Sequence, residues 1–428
     1  MTKKKGTKRA LIKKAIKPVT EPLKPIITPI INPIRDLAES GRLAGILLLL
    51  ATAISMTWAN TSAGEDYIHF WEQYVGVDPL RKTISHWIND GLMVIFFFFV
   101  GLEIKRELLE GELSSFRQAV LPAASAIGGA VVPATLFILF NPSLPQSEGW
   151  AIPTATDIAF SLGMLSLLGD RVPFSLKVFL TALAVIDDLI AVMIIALFYT
   201  EDINTSMLMY SAGTLAVLAA CNFFKIKRIA VYVVLGVVLW YFVLKSGIHA
   251  TIAGVLLAMT IPLAQVDDIE HALYRPVNYF IMPIFALANT AILLPEDIGG
   301  LLFSSLSLGI IAGLFIGKPL GILLMAWAIV KTKLATLPLG MGWRHVAGLG
   351  FTAGIGFTMS IFITSLSFAD LDLQNASKLA IMAGTVLSGG VGLLWLLKAD
   401  NPAISPYTGE DQSEQPTENP YLDPDTQK

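Results

Sequence analysis

The chain has 428 residues, 54% of them hydrophobic and only 15% charged, with 34 Gly, 23 Pro and a single Cys. Soluble domains carry about 25% charged residues, so this chain has too little polar surface to coat a water-surrounded α/β enzyme and too much apolar character to be disordered. The net charge of −3 gives no reason to expect a nucleic-acid partner, and Cys221 alone cannot close an intrachain disulfide.

The first 35 residues hold ten Lys or Arg, with prolines at 18, 22, 25, 29 and 33. No apolar h-region with a small-residue cleavage site follows, so residues 1–40 read as a basic cytoplasmic anchor that anionic lipid attracts. From about residue 43 to residue 397, uncharged apolar runs recur, each near the ~20 residues a helix needs to cross hydrocarbon. They do not alternate as the strands of a membrane barrel would. The fold class is therefore an all-α polytopic membrane protein. Twelve spans are predicted, near 41–60, 84–104, 118–140, 149–169, 174–199, 206–223, 229–245, 247–262, 274–294, 304–330, 344–368 and 376–398. Residues 399–428 are acidic and poor in large apolar side chains, and read as a disordered tail. Twelve Lys or Arg flank the even-numbered connections and four the odd ones, which places both termini in the cytoplasm.

Two spans depart from the rest. The fourth, GWAIPTATDIAFSLG, is interrupted by Pro153, Thr154, Thr156 and Asp157. The eleventh, GLGFTAGIGFTMSIF, carries Gly348, Gly350, Gly354 and Gly356 within nine residues. Interrupted helices at corresponding places in two halves point to a transporter's binding site, with spans 3–5 and 10–12 as the paired repeats. In span ten, Gly309, Gly313, Gly317 and Gly321 recur every four residues, a small-residue stripe that lets another backbone approach closely. GLGFTA and GLFIGKPL have the look of nucleotide-binding loops, but neither follows a strand, and the second lacks the spacing and hydroxyl of a phosphate loop.

Asp157, Asp187, Asp188 and Lys318 fall inside predicted spans. At a helix centre each costs about 2.5–3.5 kcal/mol, roughly 10–14 kcal/mol together. Three acids against one base leave carboxylates that must hold a proton or a cation. Asp187 and Asp188 are adjacent and diverge by about 100° around a helix, yet both can border one cavity. Two carboxylates in a poorly solvated site cannot easily both be ionised, so a proton and a small hard cation compete for them. If the broken helices cross in opposite orientation, Asp157 and Lys318 can neutralise the like-signed helix ends that meet there.

The strings WINDGLM, VGLEIKREL, GWAIPTATDIAFSLG, VIDDL, VLKSGIHATIAG, GIIAGLFIGKPLG and GIGFTMSIF resemble those of bacterial NhaA-type sodium/proton antiporters, over residues 40 to 398. The resemblance implies twelve helices as inverted repeats, with the fourth and eleventh broken and crossing at mid-membrane. It implies that Asp187 and Asp188 are the shared, transient Na⁺ and proton site. Thr156 and Asp157 become the extended-chain residues beside it, and Lys318 the partner of an aspartate and compensator of helix ends. The activity implied is electrogenic, pH-regulated export of Na⁺ or Li⁺ against entering protons across the inner membrane, without a resident cofactor. The partners implied are the lipid bilayer and small ions, with a homodimer left open. Glu103, Arg106 and Glu107 match the family's pH-response region, and His249, Glu270 and His271 are further candidates. The segment QVDDIEHALYRP is more acidic and poorer in His than its counterparts. A sodium-coupled symporter of the same fold and a non-coupling proton channel are the alternatives.

Overall fold

In a computed structural model of the protein, residues 42–78, 80–200 and 203–399 are described, so both predicted tails, Ala399 apart, lie outside the described residues. The apolar runs fold as helices because a helix satisfies its backbone N–H and C=O groups within its own segment. In chain order these are α1 (Arg42–Ala59), α2 (Gly64–Glu72), α3 (Ile84–Leu109), α4 (Phe116–Phe140), α5 (Ile158–Leu167), α6 (Phe174–Phe198) and α7 (Thr205–Phe223). They continue as α8 (Ile229–Lys245), α9 (Ile252–Thr260), α10 (Leu263–Asn289), α11 (Ser305–Lys331), α12 (Trp343–Ala353), α13 (Phe357–Ser367) and α14 (Leu371–Leu397). Six of them, α3, α4, α6, α7, α11 and α14, are each long and apolar enough to cross a membrane. Three further pairs bend at short breaks: α1–α2 by 115°, α9–α10 by 108° and α12–α13 by 47°. Among the described residues that makes six spans by length and composition, or nine if each bent pair is one span, with α5 and α8 as shorter apolar helices, against the twelve predicted.

The fourth span is broken more thoroughly than a kink. A 3-10 segment, Gln146–Thr154, gives way to extended chain at Ala155 before α5 begins at Ile158. The eighth span is shorter than expected, since α9 starts only at Ile252 and leaves His249 in the turn before it. The predicted loop after span one contains α2 and a hairpin pairing Tyr74–Val75 with Lys82–Thr83. The nine residues of α2 are too few to register as a span, and aromatic stacking holds them, with Trp58 and Tyr67 centroids 5.0 Å apart.

The glycine stripe of α11 lies along α4, where backbones meet. A Cβ on Gly321 would stand 2.0 Å from the Gly128 carbonyl oxygen, and one on Gly317 would stand 2.7 Å from Pro133 Cα. A π-helical turn, Gly313–Gly317, ends immediately before Lys318, so the helix is locally widened where the charge is carried. A contiguous apolar cluster including Phe97, Val185, Ile195 and Phe362 forms the main core. Large apolar side chains such as Met193, Leu197, Phe223, Val234 and Leu394 face outward, an exterior suited to lipid.

Candidate functional site

The two breaks abut, and their chains run antiparallel. Ser360 Oγ donates to the Ile152 carbonyl at 2.7 Å, Asp157 N–H to the Ile355 carbonyl at 2.7 Å, and Ser161 Oγ to the Thr352 carbonyl at 3.0 Å. Partner numbers fall as residue numbers rise, so the start of each half-helix lies beside the end of the opposing one. Interrupting both helices frees backbone groups that hydrocarbon would not solvate, and these cross-contacts satisfy them.

Asp157 serves both helix starts. Its Oδ1 accepts from the Phe160 amide of α5 at 2.9 Å, while its Oδ2 accepts from the Thr358 amide of α13 at 3.1 Å and from the Thr358 hydroxyl. One carboxylate thus lies against two positive helix ends. Lys318 occupies the corresponding place among carbonyls. Its Nζ donates to the Thr154 carbonyl at the end of the 3-10 segment and forms an ion pair with Asp187 Oδ2 at 2.7 Å, with no solvent exposure on either side chain. Thr156 Oγ1 lies 2.6 Å from the same Asp187 oxygen and 2.9 Å from the Ala353 carbonyl, the last of α12. A single polar chain therefore runs from the Ala353 carbonyl through Thr156, Asp187 and Lys318 to the Thr154 carbonyl.

Asp188 is different. Both aspartates are buried with an Oδ1 that lacks a hydrogen-bond partner, but among the described residues Lys318 pairs with Asp187 and no ion pair is formed by Asp188. The charges within its electrostatic reach are Glu103, Asp187 and Asp157, opposed by Lys318. The neighbouring aspartates thus diverge as helix geometry requires: one is committed to a lysine, and the other is left over.

Asp188 lies on α6 between two cavities. One, of about 680 Å³, is lined by Phe198 and Tyr199 together with Asp90 and His249. The other, of about 590 Å³, is lined by Lys177, Thr181 and Ala182 together with Glu107, Glu110 and Glu112. At ~1.5 Å per residue, Asp188 is about 9 Å along the helix from Ala182 and about 15 Å from Phe198.

The predicted response residues fall into two groups. Arg106 pairs with Glu270 at 2.7 Å and with Glu107 at 3.4 Å, and Glu103 is within reach of all three charges. Glu270 precedes the predicted ninth span, and burial pushes its carboxyl above the ordinary value of 4.5 despite the Arg106 guanidinium. His271 is exposed, although its charge reaches Glu270. His249 does not join this cluster. It lies at the other end of α3, its Nε2 3.6 Å from Asp90 Oδ1 and its Nδ1 2.8 Å from Thr251 Oγ1. Asp90 also pairs with Lys82 at 2.8 Å and His86 at 3.4 Å.

Sequence reasoning passed over several residues here. Thr358, Ser161 and Ser360 stand within the strings GIGFTMSIF and DIAFSLG, but a hydroxyl in a helix usually bonds its own preceding turn, so composition does not mark them. Lys105 is one of the twelve basic residues that flank the even-numbered connections. It is buried, and its Nζ donates to the Met259 carbonyl at 2.8 Å and to the Ile261 carbonyl, at the bend between α9 and α10. Lys378, one of the four basic residues that flank the odd-numbered connections, is buried as well.

A lipid-facing helical exterior around abutting helix breaks, with a buried ion pair and a leftover carboxylate between two cavities, defines the class of secondary membrane transporters. The sequence matches the profile of the family described as Na+/H+ antiporter 1 over residues 35–396, and the chain belongs to that family. It is 50% identical over 369 residues to the Na(+)/H(+) antiporter NhaA 2 of Flavobacterium johnsoniae, spanning 84% of this chain and 90% of that protein. It is 47% identical over 368 residues to the Na(+)/H(+) antiporter NhaA of Cytophaga hutchinsonii, spanning 85% and 94%. To that of Salmonella arizonae it is 50% identical over 372 residues, spanning 84% and 96%.

Proposed function

We propose that this chain is a secondary transporter rather than an enzyme, exchanging Na⁺ or Li⁺ for protons by alternating access. The observation that carries this reading is Asp188, a buried carboxylate that, among the described residues, forms no ion pair once Lys318 is committed to Asp187. Such a group is costly to ionise in an apolar surround, so it holds either a proton or a small cation, and the two ions compete. The Thr156 hydroxyl and the Asp187 carboxylate are hard oxygens of the kind that suit Na⁺. Asp187 and Asp188 are the exchange site; Thr156, Asp157 and Lys318 hold it and balance the helix ends. Na⁺ and protons are substrates here, and no resident cofactor enters the reading.

The exchange is electrogenic, with more than one proton entering per cation exported across a bacterial inner membrane. Both termini are cytoplasmic, with the basic and acidic tails on that side. Glu103, Arg106, Glu107 and Glu270 form the pH-response cluster, with His271 at its rim and His249 acting from the opposite cavity. In everted vesicles acidified by respiration, added Na⁺ should raise the internal pH. The flux should vanish in Asp188→Ala at unchanged membrane abundance. Sodium-independent proton leak would instead mark a channel, and flux that requires an organic solute would mark a symporter.

A further inference from the structure

Two serines occupy equivalent places in the two broken helices and reach across reciprocally. Ser161 is four residues beyond Asp157, the cap of α5, and Ser360 is four residues beyond Gly356, the cap of α13. Ser161 Oγ donates to the Thr352 carbonyl in the last turn of α12, and Ser360 Oγ donates to the Ile152 carbonyl near the end of the 3-10 segment. Both serines are fully buried, and each hydroxyl leaves its own preceding turn to serve the opposing chain. Gly356 makes room for this, since a Cβ there would stand 2.2 Å from Ser360 Oγ.

The two clasped ends are not equally supported. The end containing Ile152 is also held by the Lys318 ammonium, which binds the Thr154 carbonyl. Among the described residues, the end containing Thr352 receives uncharged donors: the Ser161 hydroxyl and the Ile355 amide at 3.2 Å on Thr352, the Gly354 amide on Gly350 and Phe351, and the Thr156 hydroxyl on Ala353. Thr156 is the same hydroxyl that lies against Asp187. It is therefore shared between the Ala353 carbonyl at the α12 terminus and the carboxylate site, one carbonyl along from the Thr352 oxygen that Ser161 serves.

We infer that Ser161 and Ser360 are positioning residues for ion exchange, and that Ser161 is the more important because it leaves the Thr156 hydroxyl available to Asp187. This rests on the antiporter reading. Without Ser161, the negative end of α12 draws Thr156 away from Asp187, and the cation loses an oriented oxygen. Loss of one neutral hydrogen bond, about 0.5–1.5 kcal/mol, corresponds to roughly a two- to tenfold change in an equilibrium constant.

The test uses the full-length protein in proteoliposomes, with Ser161→Ala, Ser161→Cys and Ser360→Ala. Ser161→Ala should raise half-saturating Na⁺ and Li⁺ about two- to tenfold with maximal rate within about twofold. Ser161→Cys, which keeps a weak donor, should fall between it and the parent, and Ser360→Ala should change half-saturation less than Ser161→Ala. A lowered melting temperature with unchanged half-saturation in Ser161→Ala would overturn the inference, leaving only a packing role. So would an effect of Ser360→Ala equal to or larger than that of Ser161→Ala. Absence of sodium-linked flux in the parent would instead remove the antiporter reading. Amide hydrogen exchange then judges the clasp itself: faster exchange over residues 350–358 in Ser161→Ala supports it, and unchanged exchange overturns it.

Discussion

Lys318 shares its ammonium between the Asp187 carboxylate at 2.7 Å and the Thr154 carbonyl, with no exposed surface. Removing one partner of such a pair leaves an uncompensated charge, whereas removing both leaves none. Lys318→Ala should therefore destabilise the protein by about 3–5 kcal/mol, and Lys318→Met with Asp187→Leu should recover most of that loss while abolishing transport. Thermal unfolding in detergent, with flux measured alongside, checks both outcomes. Asp188 forms no ion pair among the described residues, so its occupancy should follow competition alone. The sign is fixed: cation binding needs the ionised form, so half-saturating Na⁺ rises as pH falls below the titration point of the group, by up to about tenfold per pH unit, and levels off above it. A half-saturation constant independent of pH would contradict a shared site. At this scale the sequence was legible in residue type and largely silent on partnership. Three acids and one base inside spans could be counted, but which aspartate takes the lysine depends on side-chain directions that adjacent positions leave open.

The broken helices and the packed pair α4–α11 set the geometry those side chains need. Asp157 joins two helix starts because antiparallel chains bring the Phe160 and Thr358 amides to one carboxylate. Gly321 and Gly128 let α11 and α4 touch along their backbones one turn from Lys318. Gly321→Val should force the helices apart, costing at least about 1–3 kcal/mol from overpacking and displacing Lys318 from Asp187. Lower thermal stability together with a weakened apparent affinity for Na⁺ is the expected result. The glycine period announced this contact, because a four-residue repeat keeps one helix face small. The cross-break hydroxyl bonds were not announced, since serine in a membrane helix ordinarily turns back on its own chain.

Across the whole molecule, Arg106 and Glu270 join α3 to α10 at one end, while Asp90, Lys82, His86 and His249 gather at the other. Burial raises the Glu270 carboxyl above 4.5, so the folded state holds that proton more tightly than the unfolded chain. Its contribution to stability is therefore fully present below 4.5 and is lost as pH rises through the folded value. Glu270→Gln should flatten the decline of melting temperature across that window, and a slope identical to the parent would count against it. What the sequence by itself determined is the class: low charge, recurrent apolar runs and two interrupted spans require a helical membrane protein with a costly polar centre, because hydrocarbon penalises charge and open backbone wherever they occur. The tertiary structure decided which charges meet. It assigned Lys318 to Asp187, left Asp188 over, parted His249 from Glu103, and drew Lys105 and Lys378 out of the count of loop charges. Those outcomes turn on distances of a few ångströms between side chains on segments far apart in the chain, which the spacing of residues along one helix does not specify.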